Sequence, residues 1–168
     1  EKPGLRGFEV LPAAYCPFAG AVEADWSQAA FWYAANFLGS PVEIQGLNPL
    51  SAQGDLAVAS LYWRPARPGD REIDVSGCPD LLPPLAVMAA VRQGTVRFVH
   101  AARLRLKESD RLQTTAAMLQ ALGGTVEEGA DSLTVQGQPQ LLGGTVDGAN
   151  DHRIVMAAAV AATACAGS

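Results

Sequence analysis

Cysteine and histidine are scarce in this chain, and the few present lie far apart. Cys16, Cys78 and Cys165 form no CxxC pair, and His100 and His152 sit far from any cysteine pair. That spacing supports neither a zinc centre nor a disulfide framework. A reduced, cytoplasmic protein without metal or cofactor is the expectation. Long apolar runs are missing too. The longest, Ile154 to Ala166, is broken by Thr163 and falls short of the roughly 20 residues a membrane span needs. No charged-then-apolar signal segment opens the chain, so no membrane partner is expected. Positive charge is in deficit, with 12 Lys and Arg against 17 Asp and Glu and a net charge of −5. A non-specific nucleic-acid binder is therefore disfavoured. What is present is apolar content: 49% of the 168 residues are hydrophobic, 17% are charged and the mean hydropathy is +0.11. That is enough for one domain with a sizeable core, and it argues against disorder.

The chain starts Glu1-Lys2-Pro3, and its last strongly apolar helix runs on to the C-terminal Ala166-Gly167-Ser168. A helix apolar on nearly every face needs cover on more than one side. The chain is therefore expected to be a piece of a larger protein.

An internal repeat organises the rest. Helices are predicted at Trp26 to Leu38, Ala52 to Tyr62, Leu81 to Val91 and Ser109 to Leu122, with Gly39-Ser40-Pro41, Gly94 and Gly123-Gly124 as stops. Strands are predicted at Val42 to Ile44, Glu72 to Val75, Thr95 to Val99, Thr125 to Glu127, Leu133 to Gln136 and Thr145 to Asp147. Asp25 and Asp80 each precede the first helix of a unit and lie 55 residues apart; Gln53-Gly54-Asp55 and Glu108-Ser109-Asp110 open the second helices at the same offset. Two landmarks at one offset argue for duplicated α/β units. The units run over about 16–75, 76–148 and 149–168, the first abbreviated and the third opening at Asp151.

Three segments put ionisable residues at predicted helix starts: Gly77-Cys78-Pro79-Asp80, Lys107-Glu108-Ser109-Asp110-Arg111 and Asn150-Asp151-His152-Arg153. A helix start offers unpaired N–H groups and partial positive charge, and arginines added there make an anion pocket. Each segment alone also reads as an ordinary Asp cap or a solvated turn. At equivalent points of a repeat, however, the three can converge on one face. Elsewhere the residues read as structural. His100 has no partner in sequence. Trp26, Phe31, Trp32, Tyr33 and Phe37 fill helix faces as core. Cys78, with no flanking base, reads as a buried thiol.

Leu104-Arg105-Leu106-Lys107-Glu108-Ser109-Asp110-Arg111-Leu112 and Asp151-His152-Arg153-Ile154-Val155-Met156-Ala157 resemble the two signatures of the 3-phosphoshikimate 1-carboxyvinyltransferase (EPSP synthase) family. Val22 to Ala29, Ser51-Ala52-Gln53-Gly54-Asp55 and Pro79-Asp80 are similar to further family segments and occur in the same order. The related UDP-N-acetylglucosamine enolpyruvyl transferases share the fold but lack the Lys-Glu-Ser-Asp-Arg run. The resemblance implies an α/β fold of repeated βαβαββ units in an inside-out α/β barrel, here an incomplete C-terminal domain over residues 16–168. Residues 1–15 would be the tail of a missing N-terminal domain or the crossover to it.

It also implies transfer of the enolpyruvyl group of phosphoenolpyruvate to the 5-hydroxyl of shikimate 3-phosphate, with release of phosphate. Asp80 would take the hydroxyl proton and Glu108 would protonate the methylene carbon. Lys107 would neutralise charge in the tetrahedral intermediate, while Arg111, Arg153 and His152 would hold phosphoenolpyruvate. Asp80 and Lys107 would also contact shikimate 3-phosphate. Arg103 replaces an amide usual in the family, and either binds the phosphate of shikimate 3-phosphate or faces solvent. The partners implied are the two small-molecule substrates, the N-terminal domain and a C-terminal segment. The alternatives are a non-catalytic anion-binding fragment of the same fold or the related UDP-N-acetylglucosamine enolpyruvyl transferase, and the region between Leu61 and Ile73 is shorter than the family's.

Overall fold

The structure, a computed structural model, describes residues 9–62 and 68–166. The expected tail at residues 1–15 and the shortened region between Leu61 and Ile73 each fall partly outside these residues. Helix α1 spans Trp26–Phe37. It opens because the Asp25 carboxylate accepts from the backbone N–H groups of Ser27, at 2.7 Å, and Gln28, satisfying donors no turn precedes. It stops because Gly39 takes φ +102°, which lets Gly39 and Ser40 donate back to the Asn36 and Ala35 carbonyls. A 3₁₀ turn, Gly54–Ala57, leads into the single turn α2, Val58–Leu61.

The βαβ passage that follows sets the frame. Strand β1, Arg71–Asp74, leads through a 3₁₀ turn at Pro79–Leu81 into α3, Leu82–Ala90, and back to β2, Thr95–Val99, which pairs parallel to β1. Pro83 and Pro84 are tolerated in α3 because first-turn residues have no carbonyl to donate to. Every residue of α3 is buried. It packs on α1, α4 and α5 as well as on the sheet, so its all-round apolarity is matched by all-round cover.

Another 3₁₀ turn, Ala102–Leu106, precedes α4, Arg111–Ala121. Gly123, at φ +81°, closes α4 as Gly39 closes α1. The antiparallel strands β3, Thr125–Glu128, and β4, Ser132–Gln136, complete a sheet of order β1-β2-β4-β3. Ile73, Phe98 and Leu133 stand opposite one another on the core face; Glu72, Arg97 and Thr134 share the outer face. Helix α5, His152–Ala162, is capped by Asp151.

Four expectations are corrected. Val42 to Ile44 forms no strand: the Asn36 side chain takes both backbone groups of Val42 at 2.8 Å and so replaces a ladder. Thr145 to Asp147 is irregular as well. There the Asp147 carboxylate accepts from the Ala149 N–H at 2.9 Å, and Ala149 and Asn150 follow at φ +50° and +53°. The helix expected over Ala52 to Tyr62 is a 3₁₀ turn plus one α turn. Trp32 is exposed rather than core. Among the described residues no helix is long and apolar enough to cross a membrane.

Candidate active site

Asp80, Glu108, Arg111, Asp151 and Arg153 come from three separate chain segments and meet at the N-terminal ends of α3, α4 and α5. Their hub is Arg111, whose side chain is 1% exposed. It is the first residue of α4, so its guanidinium is aimed back over the helix start. Nε donates to Asp151 Oδ2 at 2.9 Å, Nη1 to Asp80 Oδ1 at 2.8 Å, and Nη2 to both Glu108 and Asp151 Oδ1. Lys107 Nζ reaches the same Asp80 Oδ1 at 2.9 Å, and Arg153 Nη2 lies 3.5 Å from Asp80 Oδ2.

Asp80 is not the helix cap its sequence position suggests, since it sits inside the 3₁₀ turn with no cap bond. Burial pushes its carboxyl up. The Lys107 hydrogen bond and the charges of Arg153, Lys107 and Arg111 more than reverse this, leaving it below the usual aspartate value. It is therefore ionised at neutral pH. Asp151 is fully buried, and it caps α5 by accepting from the Arg153 N–H at 3.0 Å while also accepting from Ser109 Oγ at 3.0 Å. Sequence reasoning counted it among the helix starts but gave it no role in the site. The signal was an acid placed directly before two basic side chains.

Asp55 was also passed over. It is buried, accepts from Ser27 Oγ, and feels the charges of Asp80 and Arg153. Burial holds its carboxyl above the ordinary value despite the Ser27 bond. Arg153 itself is nine-tenths buried, and its Nη1 has no hydrogen-bond partner among the described residues. A buried guanidinium nitrogen without an acceptor is costly, and an anion placed beside it would relieve that cost.

Two expected site residues stand apart. His152, the first residue of α5, is exposed, and Arg103 projects from the 3₁₀ turn into solvent; neither makes a side-chain hydrogen bond among the described residues. Cys78 is buried, and burial raises its thiol to about 11, so it stays protonated. A cavity of about 750 Å³ opens at the other ends of the helices, lined by Phe37, Leu38, Val91, Arg92 and Ala164. It holds none of the groups described above. The cluster puts an ionised carboxylate (Asp80), a half-exposed carboxyl (Glu108) and three cations within a single patch, which are the kinds of group that proton transfer and charge stabilisation require.

The sequence profile of EPSP synthase (3-phosphoshikimate 1-carboxyvinyltransferase) matches residues 6–168. The chain belongs to the EPSP synthase family. The 3-phosphoshikimate 1-carboxyvinyltransferase of Clostridium acetobutylicum is 43% identical over an alignment of 157 positions that covers 86% of this chain and 37% of that protein. The protein of the same name from Methanocorpusculum labreanum is 38% identical over 83% of this chain and 37% of its own length. In structure the chain resembles EPSP synthase from Acinetobacter baumannii, with a TM-score of 0.70 at 22% identity over 87% of this chain and 41% of that one. The α/β fold is thus the EPSP synthase fold, and the chain spans under two fifths of the length of these two sequence relatives.

Proposed function

We propose that the protein carrying this chain transfers the enolpyruvyl group of phosphoenolpyruvate to the 5-hydroxyl of shikimate 3-phosphate. The observation that carries this reading is the meeting of Asp80, Lys107, Glu108, Arg111 and Arg153 on one patch, with a donor of Arg153 left over for an anion. Asp80, held ionised by its three cationic neighbours, takes the hydroxyl proton as the oxygen attacks C2 of phosphoenolpyruvate. Glu108, half exposed, delivers a proton to the methylene carbon and exchanges it with water. Lys107 faces the charge of the resulting tetrahedral intermediate. Loss of a methyl proton then restores the double bond, and the C–O bond to phosphate breaks.

Arg111 reaches the ligand through the carboxylates it orients, and Arg153 meets the carboxylate or phosphate directly. His152 and Arg103, being exposed, are the groups that bound ligands or the rest of the protein would cover. The remaining partners are the two substrates, an N-terminal domain and a C-terminal segment. Because the site is shared with those parts, the isolated chain turns over poorly.

The test is a chimera in which this chain replaces the matching stretch of the Clostridium acetobutylicum protein. Phosphate release from shikimate 3-phosphate plus phosphoenolpyruvate is expected, and Asp80→Ala with Glu108→Ala should abolish it. Release that survives the double substitution sinks the assignment. A non-catalytic anion binder would instead take up phosphoenolpyruvate with no release at all.

A further inference from the structure

Arg105 points away from the charged cluster and into the turn between β3 and β4. Its Nε donates to the Ala130 carbonyl at 3.1 Å and its Nη2 to the Gly129 carbonyl at 2.7 Å. Its Nη1 lies 2.8 Å from both Asp110 and Glu128. All three guanidinium nitrogens are thus engaged, in the rigid fork that suits arginine and not lysine. The other end of the same stretch is fixed to the same turn: the Asp131 carbonyl accepts from the Ala101 N–H at 3.2 Å, and its carboxylate from the Ala102 N–H.

Lys107, Glu108 and Ser109 lie between Arg105 and Asp110 with no helical turn of their own, and Lys107 is extended at φ −91°, ψ −162°. A lysine on such a connection carries four free rotors, and freezing them against Asp80 opposes its rotamer entropy. Something must hold the backbone beneath it.

We propose that Arg105 is a positioning residue. By bolting the stretch 101–110 to the β3–β4 turn, it sets Lys107 Nζ against Asp80 and Glu108 against Arg111. Its bearing on ligand binding rests on the function proposed above; its bearing on Lys107 does not.

Lys2 and Lys107 are the chain's two lysines, so lysine-selective NMR labelling gives two side-chain signals, and Lys2→Arg identifies them. Asp80→Asn marks where the Lys107 signal goes when its partner is lost. Arg105→Gln should move it at least half of that way, and Arg105→Lys a smaller part. Arg97→Gln, which removes an exposed pair with Glu72 on the outer sheet face, should leave it in place. Phosphoenolpyruvate titrated on the same signal should bind about tenfold more weakly to Arg105→Gln. Should that variant fail to fold, Glu128→Gln, which removes one anchor, carries the same test.

A Lys107 signal at its wild-type position in a folded Arg105→Gln or Glu128→Gln protein overturns the proposal. A chimera, built as above, that releases no phosphate while Arg105→Gln still displaces Lys107 in this chain overturns the functional reading and leaves the role of Arg105 standing.

Discussion

Asp151 offers the sharpest test of how the cluster is held. Its carboxylate is fully buried, takes two hydrogen bonds from an Arg111 that is 1% exposed, and also accepts from Ser109 Oγ and the Arg153 N–H. Asp151→Asn keeps the volume and the acceptor that caps α5, but removes the charge and turns an N–H toward the arginine. Breaking a buried pair by removing one partner costs about 3–5 kcal/mol. Arg111 retains Asp80 and Glu108, so the lower end, about 3 kcal/mol, applies to Asn. Asp151→Ala also removes the cap, adding about 1 kcal/mol. Against a typical total of about 5–15 kcal/mol, either loss is large. Urea unfolding with an unchanged slope reads it as a fall in midpoint. The sign of the pH dependence follows from the same contacts. Burial would raise the Asp151 carboxyl, but the Arg111, Arg153 and Ser109 hydrogen bonds bring it below the ordinary value. Its contribution is therefore complete above about pH 4, the unfolded value, and is lost as pH falls through the lower folded value. The gap between wild type and Asp151→Asn should narrow in acid. A neutral-pH loss under about 1 kcal/mol would refute the idea that Asp151 is the structural counter-charge of Arg111.

Three further outcomes are expected. Cys78, raised to about 11 by burial and by the nearby Asp55 and Asp74 charges, should resist a thiol reagent at neutral pH until the chain unfolds, while exposed Cys16 reacts at once; equal rates would contradict its burial. Leu85→Ala, in the centre of the buried α3, should cost about 2–5 kcal/mol in chemical unfolding, and a loss below that range would mean that α3 is not packed on all sides. Asp74, at about 2, owes this first to the Ser76 backbone N–H and only then to His100, 3.0 Å away. His100→Gln should therefore leave an NMR titration of Asp74 well under the ordinary aspartate value, and a return to that value would show the histidine to be the main cause.

The helices were legible because their ends are written locally. An Asp one residue ahead of α1, α4 and α5 supplies the missing acceptor, and Gly39 and Gly123 supply the left-handed stop. The failures have equally local causes, but these involve partners distant in sequence or competing side chains. Val42 has β-branched chemistry, yet the Asn36 amide offers its backbone both bonds a strand would have made. Thr145 to Asp147 alternates like a strand, but the chain must turn through two left-handed residues to bring Asp151 under Arg111. Asp80 looked like Asp25 because both start a unit. Only the fold shows that one caps a helix while the other is pulled from its helix by Lys107 and Arg111. Arg105 stood within the Leu104 to Leu112 stretch, but its anchoring role had no local signal, since its four acceptors include two backbone carbonyls more than twenty residues away.

The charge balance of the cluster sets what this chain can do by itself. Lys107, Arg111 and Arg153 bring three positive charges; Asp80, Glu108 and Asp151 bring three negative ones, and they are paired among themselves at hydrogen-bond or near hydrogen-bond range. A phosphate-bearing anion arriving here meets a patch that is already neutral, with Asp55 adding negative charge close by. To gain Lys107 or Arg153 it must share them with Asp80. That weakens the contacts holding the Asp80 carboxyl below its ordinary value and raises its affinity for a proton. The consequence suits a general base. In the reaction proposed above, Asp80 is a weak proton acceptor while Lys107, Arg111 and Arg153 crowd it, and an anion that drew those cations away would raise its basicity where the proposed hydroxyl proton is released. Under the proposed function, the same neutrality requires that further positive charge for the ligand come from outside the six clustered residues.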